Sequence, residues 1–233
     1  MLRVTALPNM SSLLAPDPDL ARYAKKGAHT QVTATEQLAL ESLDVLAAAD
    51  RFDAHVLKID TQGSELDVLK GAVDTLDRSV LAAEVEISFF QRYQGQPLFA
   101  EVEAFMKAHG FELIELHRLK RYRAKNPLAI GNVGLGGGQR AGRIAYGDAI
   151  FLRREADIRA RARADEGVSL LRAIIALVAY GKADMAARLF GEGRDTLDAA
   201  VAARVESALK ALGSSRLGLA HLHAGIDWLT RKC

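Results

Sequence analysis

The stretch VLKIDTQGSELDVLKG, residues 56–71, decides how the rest of the chain is read. It begins as an apolar run, passes through a charged turn that contains a glycine, and continues with leucines at helical spacing. That is the pattern of a buried strand feeding a helix. Lys58 and Asp60 sit inside the apolar run and share one face, because side chains alternate across a strand. A lysine in a buried strand needs a partner. Glu84 and Glu86, on the next apolar run, share a face as well, and Lys58 is expected to pair with one of them. Such a pair is either a structural ion pair beneath a site or part of the site itself.

Outward from this stretch the signals alternate. Residues 2–6 read as a short strand, and Pro8, Pro16 and Pro18 punctuate a loop. The alternation of EQLALE, 36–41, reads as a strand, with a short helix capped by Ser42 behind it. AHVLKID reads as a strand buried on both faces. Ser64 and Asp67 have capping-box spacing, Leu66, Leu69, Val73 and Leu76 line the helix that follows, and Gly71 ends or bends it. Residues 80–87 form the next strand. PLFAEVEAFMKAHG is an amphipathic helix with Leu98, Val102, Phe105 and Met106 inward. FELIEL and DAIFLRR are further strands, with a long loop over about 118–147 between them. The alternation predicts an α/β sheet, mostly parallel. From residue 155 onward only helices are expected: a hairpin turning at Gly181, then a helix lined by Leu197, Val201, Val205, Leu209 and Leu212. The expected domains are 1–154 and 155–233.

Composition sets outer limits. The chain has 233 residues, 49% apolar and 26% charged, which is a globular profile. Net charge of +2 implies no nucleic-acid or membrane partner. Cys233 is the only cysteine, so no disulfide forms within the chain. The N-terminus lacks the apolar core of a signal peptide, and VSLLRAIIALVAY is too short to span a bilayer, so a cytoplasmic location is expected.

LKIDTQGSELDVLKGA, then EVEISFFQRYQGQPLFAEVEAFMKAHGFELIEL, then YGDAIFLRR together resemble the C-terminal half of the FkbM-type methyltransferases. PNMSSLLAP and LESLDVL upstream are similar to that family too, so the resemblance covers roughly residues 3–154. It implies a partial Rossmann-like methyltransferase sheet followed by an all-helical C-terminal extension. It also implies S-adenosylmethionine as methyl donor and an oxygen acceptor on a sugar or secondary metabolite. By the same resemblance Asp60 and Glu84 are the catalytic candidates, and Asp60, Gln62 and Glu65 line the donor turn. Tyr93 lies over the acceptor side or packs at the surface.

The family's donor site also needs a glycine-rich turn after its first strand and an acidic residue after its second. Neither precedes residue 56. The expected reading is a chain that starts after the first three strands of the family fold. The apolar edge of HVLKID is then covered by a further segment, by the helical tail, by another protein or by a second copy. The alternative function is a non-catalytic interaction module acting through the tail. GNVGLGGGQRAG, 131–142, is expected to be a flexible loop with little part in ligand contact, and His221 and His223 a solvent-facing pair rather than metal ligands, with no metal expected.

Overall fold

The computed structural model describes residues 1–131 and 140–214. His221, His223, Cys233 and most of the glycine-rich loop lie outside the described residues. The chain divides into two compact units, Met1–Arg153 and the residues from Arg154 onward.

The first unit starts with β1 (Leu2–Thr5), a single helical turn α1 (Lys26–His29) and β2 (Val32–Glu36). β1 and β2 pair antiparallel as a two-stranded sheet. After α2 (Leu43–Asp50) come β3 (Val56–Ile59), α3 (Glu65–Lys70), α4 (Val73–Arg78), β4 (Ala82–Ser88), α5 (Phe99–Ala108), β5 (Phe111–Tyr122) and β6 (Arg143–Arg153). The second sheet has the order β3-β4-β6-β5. Ile59, Val85, Ile87, Ala149 and Phe151 from its strands pack with Leu66, Leu69, Leu76, Val102 and Met106 from the helices. Alternation along β4 then turns Glu84 and Glu86 to the opposite face, although every residue of that strand is buried.

Several expectations are corrected. The sheet is α/β but not mostly parallel: β3 and β4 pair in parallel, whereas β6 runs antiparallel to both β4 and β5. The supposed long loop is largely a hairpin, because β5 continues to Tyr122 and β6 begins at Arg143. The strand expected at 36–41 lies at Val32–Glu36 instead, and Leu38 and Leu40 are exposed in irregular chain. β3 is not buried on both faces. Among the described residues no strand pairs with its outer edge, so Val56 and Lys58 are exposed and only Ile59 is buried.

Helix termini explain the remaining breaks. Ser42 Oγ accepts from Val45 N at 3.3 Å and caps α2 as expected. The Asp44 carboxylate then reaches α4, accepting from Asp74 N (3.0 Å), Thr75 N (2.8 Å) and Thr75 Oγ1 (2.6 Å). Burial alone would raise the Asp44 pKa, but these hydrogen bonds win and hold it below the usual carboxylate value. At Gly71 one helix gives way to another.

In the second unit, α6 (Glu155–Ala164), α7 (Val168–Ala179), α8 (Ala183–Gly193) and α9 (Ala199–Ser214) bury Ile158, Leu170, Ala173, Leu177, Leu189 and Phe190. Gly181 turns α7 into α8 with φ of 73°, as expected. The segment before it is two helices and not one: Gly167 has φ of 83°, and the Asp165 carboxylate accepts from Ser169 N at 3.0 Å to start α7 afresh. Two ion pairs link α6 to α8: Arg159 pairs with Glu192, and Glu155 accepts from Arg188 Nη2 at 2.5 Å.

Replacing Asp44 by alanine should lower stability by about 1–2 kcal/mol, as for loss of a helix cap, measured by urea unfolding. Asp44→Asn should keep most of it. The Asp44 pKa is depressed on folding, so the wild-type advantage should persist at neutral pH and fade as pH drops through and below its ordinary value near 3.8.

Candidate functional site

Ligands in open α/β sheets bind beyond the carboxyl ends of the strands. At that end of β3 and β4 the chain gathers Asp60, Gln62, Glu65, Glu86, Arg92 and Tyr93. The β3–α3 turn is held from within. Gln62 has φ of 55° and Gly63 φ of 113°, a pair of left-handed residues that tightens the turn. A Cβ on Gly63 would lie 3.0 Å from the Tyr93 ring, so the position needs glycine for space as well as for conformation. Glu65 accepts from Thr61 N at 3.0 Å and from Gly63 N at 2.9 Å. Ser64 makes no capping bond to the helix and instead donates to Thr61 Oγ1 at 3.1 Å, so the expected capping box does not form.

The Gln62 amide is a two-sided bridge. Its Nε2 donates to Asp60 Oδ1 at 2.7 Å and lies 3.3 Å from Glu86 Oε2. Its Oε1 faces donors, the Tyr93 hydroxyl at 3.1 Å and Arg92 Nη1 at 3.5 Å. That hydroxyl is also 2.9 Å from the Met10 carbonyl oxygen, so it serves one of the two acceptors at a time. The segment around Met10–Asp17 is laid across the site: Ser12 Oγ donates to the Gln62 carbonyl at 2.5 Å, and Asp17 N donates to the Arg92 carbonyl at 2.9 Å.

Beneath the bridge Glu86 and Arg92 form a buried ion pair, joined through Arg92 Nη2. Arg92 Nε donates to Ser88 Oγ at 3.0 Å, and its guanidinium lies 4.3 Å from the Tyr146 ring centroid. Burial pushes the Glu86 carboxyl up to about 7, against the pull of Arg92 and with Asp60 adding to the rise. Burial likewise pushes the Tyr146 phenol up to about 12.

Asp60, Glu65 and Glu86 bring carboxylate oxygens within 4.8 Å of one another. Protein donors engage both Glu65 and Glu86, and Asp60 alone of the three is exposed. Of the residues singled out in the sequence, Asp60, Gln62, Glu65 and Tyr93 thus meet in one place. Glu84 does not join them. It accepts from Lys58 Nζ at 2.6 Å, with Arg118 Nη1 3.8 Å away, and Arg118 also lies 3.7 Å from Asp148. The expected Lys58–glutamate pair is therefore present, although Lys58 itself is exposed. Arg92 went unnoticed in the sequence, yet a signal was there: two carboxylates in a central strand need two counter-charges, and Lys58 provides only one.

Residues 6–113 match the family model of the methyltransferase FkbM domain. This segment is an FkbM methyltransferase domain. No curated protein and no solved structure gives a significant match to the chain. The matched region holds every residue of the Gln62 bridge and its ion pair. It ends near the start of β5, so β6 and the helical unit lie beyond it.

A pH test follows for the buried pair. The Glu86 pKa is raised on folding, so the proton is bound more tightly in the folded chain. The resulting stability is full below the ordinary value near 4.5 and is lost as pH rises through about 7. Thermal melts from pH 4 to 8 should show the stability of wild type relative to Glu86→Gln falling across that window. A pH-independent difference would contradict the shift.

Proposed function

We propose that this chain is an S-adenosylmethionine-dependent methyltransferase that methylates a hydroxyl oxygen on a sugar or secondary metabolite, with Asp60 as the base that takes the hydroxyl proton. The observation that carries the reading is the placing of Asp60 within an FkbM domain. It is the exposed carboxylate at the carboxyl end of β3, and Gln62 Nε2 holds its Oδ1 at 2.7 Å. A carboxylate held in one orientation can meet an acceptor hydroxyl without searching for it, which favours proton transfer in line with methyl displacement.

Fit to the donor is partial. An exposed Asp60 backed by Glu86 and Glu65 makes a negative surface suited to a sulfonium cation. No glycine-rich turn between a strand and a helix is present among the described residues to receive the nucleoside end. When bound, the donor supplies an electrophilic methyl group. The chain's own residues orient the acceptor and remove its proton. Gln62 and Glu65, first assigned to donor binding, act in this reading as positioning residues, because their polar atoms are engaged by Asp60, Arg92, Tyr93 and the turn amides. Glu84 belongs to the Lys58 ion pair below the site. Among the described residues no helix is long and apolar enough to cross a membrane, and a cytoplasmic setting is part of this proposal.

Calorimetry of the full chain with S-adenosylmethionine and S-adenosylhomocysteine should show saturable binding. A folded sample that binds neither would leave the non-catalytic reading in place. Asp60→Asn should reduce methyl transfer by roughly 100-fold or more, the usual scale for a general base, with the thermal midpoint nearly unchanged. A matching loss of stability would mark Asp60 as structural.

A further inference from the structure

The near-zero net charge averages over an uneven distribution. Residues 116–147 contain no aspartate or glutamate, and five of the eight residues 118–125 are arginine or lysine. They form the outer part of β5 and the chain just past it. Arg118 faces Glu84 and Asp148, but among the described residues no carboxylate is ion-paired to Arg121, Arg123 or Lys125. These three keep the period-two spacing that puts side chains on one face of extended chain. A neighbouring segment adds to the charge. Tyr23 and Ala124 form an antiparallel bridge, and Lys125 N donates to the Arg22 carbonyl at 2.8 Å, which brings Arg22 alongside Lys125. Asp19, 3.0 Å from Arg22, offsets one of these cations.

The chain beyond Lys125 is both apolar and exposed. Leu128 is 74% exposed, more than any other large apolar side chain among the described residues, and Ile130 is 58% exposed. One exposed leucine needs no explanation. Here two aliphatic side chains sit on a turn, where small polar residues are the usual choice, directly after a run of cations. The turn is held in shape. Ala129 N donates to the Asn126 carbonyl at 3.2 Å, and the Asn126 side chain accepts from Ile130 N and donates to the Ile130 carbonyl, both at 2.9 Å. Cations and turn are neighbours in space as well as in sequence. Arg123 and Lys125 line a hollow of about 250 Å³ together with Ala129 and Ile130, and a Cβ on Gly131 would lie 3.6 Å from Arg123 Nη1.

We propose that this tip docks the protein on the surface of an anionic lipid bilayer, with Leu128 and Ile130 entering the headgroup region and Arg121, Arg123 and Lys125 pairing with lipid phosphates around them. The proposal does not depend on the methyltransferase reading. Total charge argued against a membrane partner, but a bilayer surface senses only the charge within about a Debye length of it. The cations supply a salt-sensitive attraction and the aliphatic pair a salt-insensitive hold, and stable peripheral binding takes two such signals. No crossing helix is required, and none is present among the described residues. A nucleic-acid strand fits this surface less well. Its bases ask for open aromatic faces, whereas Tyr23 is stacked on Phe90 at 5.3 Å and Tyr122 is buried. Leu128 and Ile130 would also have no part in holding a polyanion.

The test is sedimentation of the full chain with lipid vesicles. Phosphatidylcholine vesicles containing about a third phosphatidylglycerol should carry the protein down, phosphatidylcholine alone should not, and added NaCl should lower the bound fraction. Leu128→Ser/Ile130→Ser and Arg123→Gln/Lys125→Gln should each bind about tenfold more weakly or worse. Both should keep the wild-type thermal midpoint, since all four side chains are exposed. The control Arg51→Gln/Lys70→Gln removes the same charge from exposed positions flanking β3, the edge strand opposite β5, and should bind like wild type. Four results would overturn the proposal: no binding to the phosphatidylglycerol vesicles, equal binding to phosphatidylcholine alone, equal binding by either tip variant, or an equal loss in the control. A single-stranded oligonucleotide that displaces the protein from the vesicles and binds Leu128→Ser/Ile130→Ser as well as wild type would overturn it in favour of nucleic acid.

Discussion

The buried pair of Glu86 and Arg92 is the constraint on which the site depends. A carboxylate in the centre of a four-stranded sheet is costly, and a guanidinium beside it makes the burial tolerable only if the remaining donors and acceptors are also satisfied. Ser88 takes Arg92 Nε, the Gln96 side chain accepts from Arg92 N at 3.0 Å, and Gln62 touches both members of the pair. The direction of the Gln62 amide follows from this. Its oxygen must face Arg92 and Tyr93, so its nitrogen must face the carboxylates. Asp60 inherits a fixed donor from an interaction buried one layer below it.

Charge is segregated around that pair. On one side lie Asp60, Glu65 and Glu86. Beyond an aromatic cluster of Tyr23, Phe90, Tyr122 and Tyr146 lie Arg22, Arg123, Lys125 and Arg143, on segments bridged at Tyr23 and Ala124 or adjoining them. Arg92 is the hinge of this division, bonded to Glu86 and seated over the Tyr146 ring. Neither total charge nor composition reveals such an arrangement, because it arises only when residues 22–25 are laid along 123–125.

The sequence made the β3–α3 and β4–α5 units readable because their apolar residues keep strict spacing, and Ser42 and Gly181 announced a helix start and a turn. Period-two alternation alone led to a pair between Lys58 and either Glu84 or Glu86, and Glu84 is the partner. The β5–β6 hairpin was hidden because its outer half, HRLKRY, is charged on exposed positions and lacks the apolar face that marks a strand. Leu38 and Leu40 misled in the opposite sense, alternating like a strand although exposed in irregular chain. Ser64 lost its expected capping role to Glu65, whose two oxygens accept two turn amides. Arg92 escaped notice because a buried arginine in a loop looks like any surface arginine until the carboxylate beneath it is known. The family match covers the carboxyl end of β3, where Asp60, Gln62 and Glu65 meet.

The turn that presents Asp60 carries its own acceptor. Glu65 satisfies Thr61 N and Gly63 N from within the chain, and Gly63 fits closely beneath the Tyr93 ring. The loop therefore reaches its working shape when the domain folds and does not wait for a ligand to order it. For the proposed reaction this means that the conformational entropy of arranging Asp60 is settled in advance, and binding energy from the proposed acceptor is left for alignment of the acceptor itself.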